Sequence, residues 1–206
     1  MKYVWLSAWV LIIIILVYTF IPLDGDTKDE YRKSILEERE KTAEFMKNSA
    51  DSPFRKKGDV QFEGLHYFDV DPAFKVNAKI TPFAQPEQVM LTLSDGSREK
   101  YFKYAAAEFE LSGEPQRLVL LKSENYWNED WLFLPFYDET STHESYGGGR
   151  YLEITYTGGS VATIDFNLCY NPYCAYTDTY RCPFPPRENQ VTVRVTAGEK
   201  IYREDH

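Results

Sequence analysis

The sequence predicts a mainly β protein, an antiparallel β-sandwich or partly closed barrel, preceded by a transmembrane helix and one amphipathic helix. Three observations carry this expectation. An uncharged apolar run fills residues 4–23. A charged stretch with helical spacing follows it, up to Ser52-Pro53. From about Gly64 the apolar residues change to a period of two, broken by short turn sequences. The chain divides accordingly into 1–24, a signal anchor; 25–59, a linking helix packed on the domain; and 60–206, one antiparallel β domain.

Val4–Leu23 reads VWLSAWVLIIIILVYTFIPL. About 20 apolar residues suffice to cross a bilayer core as a helix. Trp5, Trp9 and Tyr18 stand near its ends, where amphipathic rings sit at the interface. Lys2 precedes the run, and Asp24, Asp26, Asp29 and Glu30 follow it. The positive-inside rule then keeps the N-terminus in the cytoplasm and the β domain outside. A cleaved signal peptide would need a small-x-small pair around Tyr18–Gly25, and none stands there. The expectation is an uncleaved, single-pass anchor.

In the linking segment, Thr27-Lys28-Asp29-Glu30 has the form of a capping box. Tyr31, Ile35, Thr42, Phe45 and Met46 form a narrow apolar stripe, and Asp29–Lys33 and Glu37–Lys41 are opposite charges at i, i+4. Pro53 ends the helix. The stripe is too short and irregular for a coiled coil, so the helix is expected to dock on the following domain.

Three turn sequences organise the β domain as hairpins. Ser94-Asp95-Gly96-Ser97 joins Val89–Leu93 to Tyr101–Tyr104. Ser112-Gly113-Glu114-Pro115 joins Phe109–Leu111 to Arg117–Leu121, and Thr157-Gly158-Gly159-Ser160 joins Tyr151–Tyr156 to Val161–Phe166. Trp131–Phe136, Val191–Val195, Gly64–Asp69 and Phe74–Ile80 are further expected strands. Many short strands with tight turns imply antiparallel pairing.

Charge excludes one class of partner. Residues 25–59 balance nine acids with nine bases, while Val60–His206 holds 22 acids against 13 Lys and Arg. Such a domain repels phosphate backbones and lacks the basic stripe of a nucleic-acid binder.

Polar residues concentrate in two stretches. The first runs from Asp138 through His143-Glu144-Ser145-Tyr146 to Gly147-Gly148-Gly149-Arg150. Its glycines can let backbone approach a ligand or take positive φ. It is no phosphate loop, because the Lys-Ser/Thr is missing and a strand follows. Arg150 can hold a carboxylate in a bidentate grip, either from a ligand or from Asp138 or Glu144. The second stretch runs from Asp165-Phe166-Asn167 through Asn171-Pro172 and Tyr176 to a proline cluster ending at Asn189. A long ordered loop of this kind is often functional.

Three cysteines, Cys169, Cys174 and Cys182, leave one thiol unpaired or intermolecular. Their spacing fits no zinc site, and no His completes a set. His143-Glu144 lacks the second His of a zinc-protease motif, and no Gly-x-Ser-x-Gly elbow is present. No metal and no cofactor is expected.

Several motifs together resemble a known family. They are Phe62-Glu63-Gly64-Leu65 with Tyr67-Phe68; Leu134-Pro135-Phe136 with Asp138 and Thr140; Glu144-x-Tyr146-Gly147-Gly148-Gly149-Arg150-Tyr151-Leu152; Asp165-Phe166-Asn167; Tyr170-Asn171-Pro172-x-Cys174-Ala175-Tyr176; Cys182-Pro183-x-Pro185-Pro186-x-Glu188-Asn189; and Ala197-Gly198-Glu199-Lys200. From about Tyr31 to Lys200 the chain resembles the domain-of-unknown-function family 1684. The resemblance brings no established reaction. It implies weight on Asp138, Glu144, Tyr146, Arg150, Asp165, Asn167 and Asn171, and it implies Cys174 and Cys182 as the disulfide pair, with Cys169 spare.

The leading functional expectation is a membrane-anchored, extracytoplasmic β domain that binds a small, anionic ligand between loops 138–150 and 165–182, through Tyr146, Arg150, Asn167, Asn171 and Tyr176. The alternatives are a hydrolase using Asp138, Glu144 or Asp165, with or without a divalent cation, and a structural protein of the envelope. The membrane is the expected partner through residues 4–23, with no nucleic acid; protein partners are not defined.

Overall fold

The structure, a computed structural model, describes residues 24–56 and 61–203. No helix among the described residues is long and apolar enough to cross a membrane. The expected anchor, residues 4–23, lies outside them.

Helix α1, Asp24–Asn48, begins earlier than a Thr27 cap would allow. Of its apolar stripe, Ile35 and Met46 are buried and Phe45 is exposed. Polar contacts add to the apolar ones. The Tyr31 hydroxyl donates to Asp165, and Arg39 donates to Phe68 O at 2.9 Å and Asn167 O at 3.2 Å. Arg39 also stacks 4.4 Å above the Tyr67 ring. The surface ion pairs that form on it are Lys33–Glu37 and Lys41–Glu38. Helix α2, Pro53–Lys56, follows after Ser52, whose hydroxyl accepts from Phe54 N and donates to Met46 O. Phe54 then joins Met46, Tyr176 and Tyr202 in an aromatic cluster that ties the helices to the domain.

The domain is one six-stranded antiparallel sheet that curls into a nearly closed barrel. Its strands are β1 Lys75–Thr92, β2 Arg98–Leu111, β3 Glu114–Ser123, β4 Trp131–Phe136, β5 Arg150–Thr155 and β6 Val161–Asp165. They lie in the order β5-β4-β3-β2-β1-β6. Alternate residues fill the barrel: Ala78 and Ile80, Ala105 and Ala107, Leu118 and Leu120, Leu132 and Leu134, Leu152 and Ile154, Ala162 and Ile164. A second cluster covers the outer face of β3–β5, where Val119, Leu121, Phe133 and Tyr151 pack under Cys174 and Cys182 of the long loop. β1 shifts register between Pro82 and Glu87, a segment in which Pro82 and Pro86 have no N–H to give the ladder.

The first two hairpins form as expected. Asp95 accepts from Ser97 N in the first turn, and Ser112 and Gly113 both take positive φ in the second, the geometry that matches strand twist. The third does not form. β5 and β6 are joined by a short turn, yet they stand at opposite ends of the sheet, and β6 pairs with β1. The turn spans the gap left by the curl.

Two expected strands are also absent. In Val191–Val195 side chains interrupt the ladder: Val191 N donates to Tyr137 O, but Gln116 Oε1 accepts from Thr192 N at 3.1 Å and Asp138 Oδ2 from Val195 N at 2.7 Å. In Gly64–Asp69 only Tyr67 makes a bridge, to Glu199, because its partner chain turns at Gly198.

Candidate functional site

Arg150 opens β5 with its side chain inside the end of the barrel, 1% exposed. Its Nη2 donates to Asp138 Oδ1 at 3.2 Å and to Val195 O at 2.9 Å; Nη1 donates to Ala197 O and to Glu199 O. Asp138 is equally enclosed. It accepts from Thr140 N and Oγ1, Ser141 Oγ and Val195 N. The guanidinium therefore holds protein carbonyls and a protein carboxylate together, shut away from solvent, with Nε buried without a partner. Gly149 supports the arrangement: at φ +86° a Cβ would lie 2.8 Å from Phe136 O and 2.6 Å from Pro185. The close approach this glycine allows is to the protein itself.

Glu144 does not join the pair. It lies at the surface and binds Arg194. Asp165 caps the turn at Asn167 and accepts from Tyr31, fastening α1 to β6. The three carboxylates suggested as acid, base or cation ligands thus have three separate sets of partners. Among the described residues no cluster of His, Cys, Asp and Glu could hold a metal.

The asparagines are equally committed. Asn167, fully buried, donates to Asp71 O and accepts from Asp71 N. Asn171 donates through Nδ2 to Lys200 O, while its Oδ1 is buried without a partner. Tyr176 donates to Glu199 at 2.7 Å. Tyr146 is half-buried, its hydroxyl 3.7 Å from Cys174 Sγ.

Two side chains outside the expected site turn out to be central. Glu199, 1% exposed, accepts from Tyr176 and from Asn171 N. Burial pushes its carboxyl up to about 7, against the pull of those hydrogen bonds and of the Arg150 charge. Asn189, fully buried, accepts from Val119 N and donates to Val119 O and Pro135 O, so one amide bridges β3 and β4. Both stand in the quoted motifs, which is the signal that could have marked them.

The open space lies elsewhere, along the seam where the curled sheet fails to close. A cleft of about 1340 Å³ runs between β5 and β6, under α1. The stretch 165–182 lines it through Asp165, Asn167, Tyr170 and Tyr173; residues 138–150 do not. Phe45, Val161 and Leu168 stand exposed along it. Both sheet edges present main chain to this cleft. Tyr156 N donates to Asp130 O, so the even-numbered residues of β5 face β4; Glu153 and Thr155 face the seam. Ile80 N donates to Ser160 O, so by the same alternation Val161 and Thr163 of β6 also face it. Among the described residues the edge of β5 is taken only at its end, where Tyr151 and Tyr170 exchange hydrogen bonds.

The fold recurs in a solved structure. An uncharacterized protein of Haloarcula marismortui, determined in solution by NMR, is 36% identical, with a TM-score of 0.64; the match covers 86% of this chain and 97% of that one. No curated protein matches the chain. The family described as "Protein of unknown function (DUF1684)" matches residues 60–200, which take in the whole curled sheet, the buried Arg150–Asp138 pair and the Glu199 carboxyl, and the chain belongs to that family.

Proposed function

We propose that the protein is a membrane-anchored binding domain whose ligand is an extended peptide segment of a partner protein, laid in the seam between β5 and β6. One observation carries the reading: two unpaired strand edges open onto the same cleft, with Glu153 and Thr155 on one side and Val161 and Thr163 on the other. A strand of a partner supplies the N–H and C=O groups that these edges lack. The cleft, at about 1340 Å³, is larger than the roughly 300–1,000 Å³ of sites that enclose small molecules. Exposed Phe45, Val161 and Leu168 offer apolar contacts to alternate side chains of the incoming strand.

The location follows from the sequence. The apolar run 4–23 anchors the chain, with the N-terminus in the cytoplasm and the β domain outside. Intact mass of the membrane-extracted chain tests this. A mature chain beginning near Asp24 would overturn the anchor.

The peptide reading is tested with a displayed library of random heptapeptides, followed by amide exchange on the complex with a synthesised winner. Slowed exchange at Glu153, Thr155 and Thr163 is expected. Thr163→Pro removes the seam-facing N–H and the exposed hydroxyl bond to Asn77 but none of the β1–β6 ladder bonds, so it is expected to keep the fold and to abolish binding, with Thr163→Val as the control for the lost hydroxyl. Binders that leave those three amides unprotected, or no binders, would overturn it.

A further inference from the structure

Two cysteines that the peptide reading does not use pack together at the wall of the cleft. Cys174 lies in the short turn Tyr173–Ala175, and its N–H donates to Cys182 Sγ at 3.3 Å. The two side chains pack in one buried cluster, and with the Cys174 backbone already against Cys182 Sγ they lie close enough for a side-chain S–S bond. Each residue keeps 8% exposure, and Cys182 lines the cleft.

Their surroundings suit a reactive pair. The bond with Cys182 holds the Cys174 thiol below its ordinary value, at about 7, helped by Tyr146; the same contact and burial push Cys182 up. The pair therefore gives up its first proton more readily than an isolated thiol, and that thiolate is the attacking form. Cys169 differs. It is 1% exposed, its thiol donates to Ala197 O, and burial pushes it up to about 11.

Cys182 is also tied to a distant element. Ser94 N donates to Cys182 O, Cys182 N donates to Ser94 Oγ, and Pro183 bridges Leu93. A bond from Cys174 to Cys182 would join the turn at Tyr173 to the β1–β2 hairpin and enclose the segment carrying Tyr180 and Arg181, both of which line the cleft.

We propose that Cys174 and Cys182 form a dithiol that oxidises to a disulfide by exchange with an external disulfide, fixing that wall of the cleft, while Cys169 remains a thiol. The thiolate of the pair attacks one sulfur of the donor disulfide, whose S–S bond breaks and releases one donor thiolate. The second cysteine gives its proton to solvent and attacks the mixed disulfide. The bond to the donor breaks and a second donor thiolate leaves. The two cysteines are oxidised, the donor is reduced to two thiols once its thiolates take up protons, and one intramolecular bond forms.

The test uses the full chain, reduced, freed of reductant and incubated with oxidised glutathione near neutral pH. It is then denatured, alkylated with N-ethylmaleimide and digested with trypsin. Cleavage after Arg181 separates Cys182 from the peptide 151–181, which carries both Cys169 and Cys174; only a disulfide keeps the two peptides joined, and fragment spectra place the maleimide on Cys169 or Cys174. The expected result is one maleimide, on Cys169, with the Cys174 and Cys182 peptides linked. Cys182→Ser is expected to accumulate glutathione on Cys174 and none on Cys169. Three maleimides, a bridge that includes Cys169, or lasting glutathione on the unaltered chain would overturn the proposal. Should Cys182→Ser fail to fold, the map of the unaltered chain decides.

Discussion

Arg150 and Asp138 form an ion pair closed inside the protein, Nη2 to Oδ1 at 3.2 Å with each side chain 1% exposed. Removing one partner strands the other charge without water. Arg150→Met is expected to cost about 3–5 kcal/mol in denaturant unfolding, because Asp138 and three carbonyls lose their donor together. A loss under about 1 kcal/mol would return Arg150 to the ligand-binding role its sequence suggested.

Glu144 presents the opposite case. Its pair with Arg194 lies at the surface, where such pairs contribute about 0–1 kcal/mol. Glu144→Gln is expected to leave stability within that range and to leave peptide binding unchanged. A loss of binding by isothermal titration would place Glu144 at a site the fold does not indicate.

Glu199 sets a pH dependence. Its folded value, about 7, lies above its ordinary 4.5, so between the two the native chain holds a proton that the unfolded chain has released. The stability from the neutral carboxyl is fully present below about 4.5 and is lost as pH rises through about 7. Glu199→Gln cannot titrate. Thermal melts over that range are expected to show wild type losing stability relative to the variant as pH rises; parallel curves would refute the shift.

Asn189 joins β3 to β4 through three hydrogen bonds. Asn189→Ala strands a buried N–H and two carbonyls, each group costing about 1–3 kcal/mol when unmet. A loss of about 3 kcal/mol is expected, with faster amide exchange at Val119 as the local reading.

Gly198 takes φ +74°, and a Cβ there would meet Cys169 Sγ at 2.2 Å and the carbonyls of Cys169 and Phe166 at 2.7 Å. Gly198→Ala is expected to destabilise by about 3 kcal/mol or more, from strain and overlap combined. Cys169→Ala added to it is expected not to restore stability, since the two carbonyls remain. Recovery would show the thiol to be the whole obstacle.

Local chemistry explains what could be read in advance. Asp95-Gly96 and Ser112-Gly113 carry their turn geometry in their own residues, and both hairpins stand. Gly158-Gly159 carries a similar signal, but pairing depends on how the whole sheet curls, and β6 joins β1 instead. Val191 and Val195 alternate like strand residues because they point into the core; their segment's backbone is shared between the main chain of Tyr137 and Glu139 and the side chains of Gln116 and Asp138, all far away in sequence. The Arg150–Asp138 link was visible as a charge pairing. Arg194 as partner of Glu144, and the seam as the open site, depend on approaches between distant parts of the chain that no spacing records.

The placement of β6 also sets the order in which the molecule assembles. β1 through β5 form a meander in which each strand meets its predecessor after a connection, whereas Asn77 must wait for Thr163 to arrive from the far end of that meander. Contacts of such long sequence separation form slowly, since closing the loop costs entropy before pairing returns it. β6, and with it the α1 contact between Tyr31 and Asp165, is expected to be the first part of the sheet to open in the native state. Amide exchange is expected to show Val161–Asp165 opening before the β1–β5 meander; equal protection of both would contradict this order.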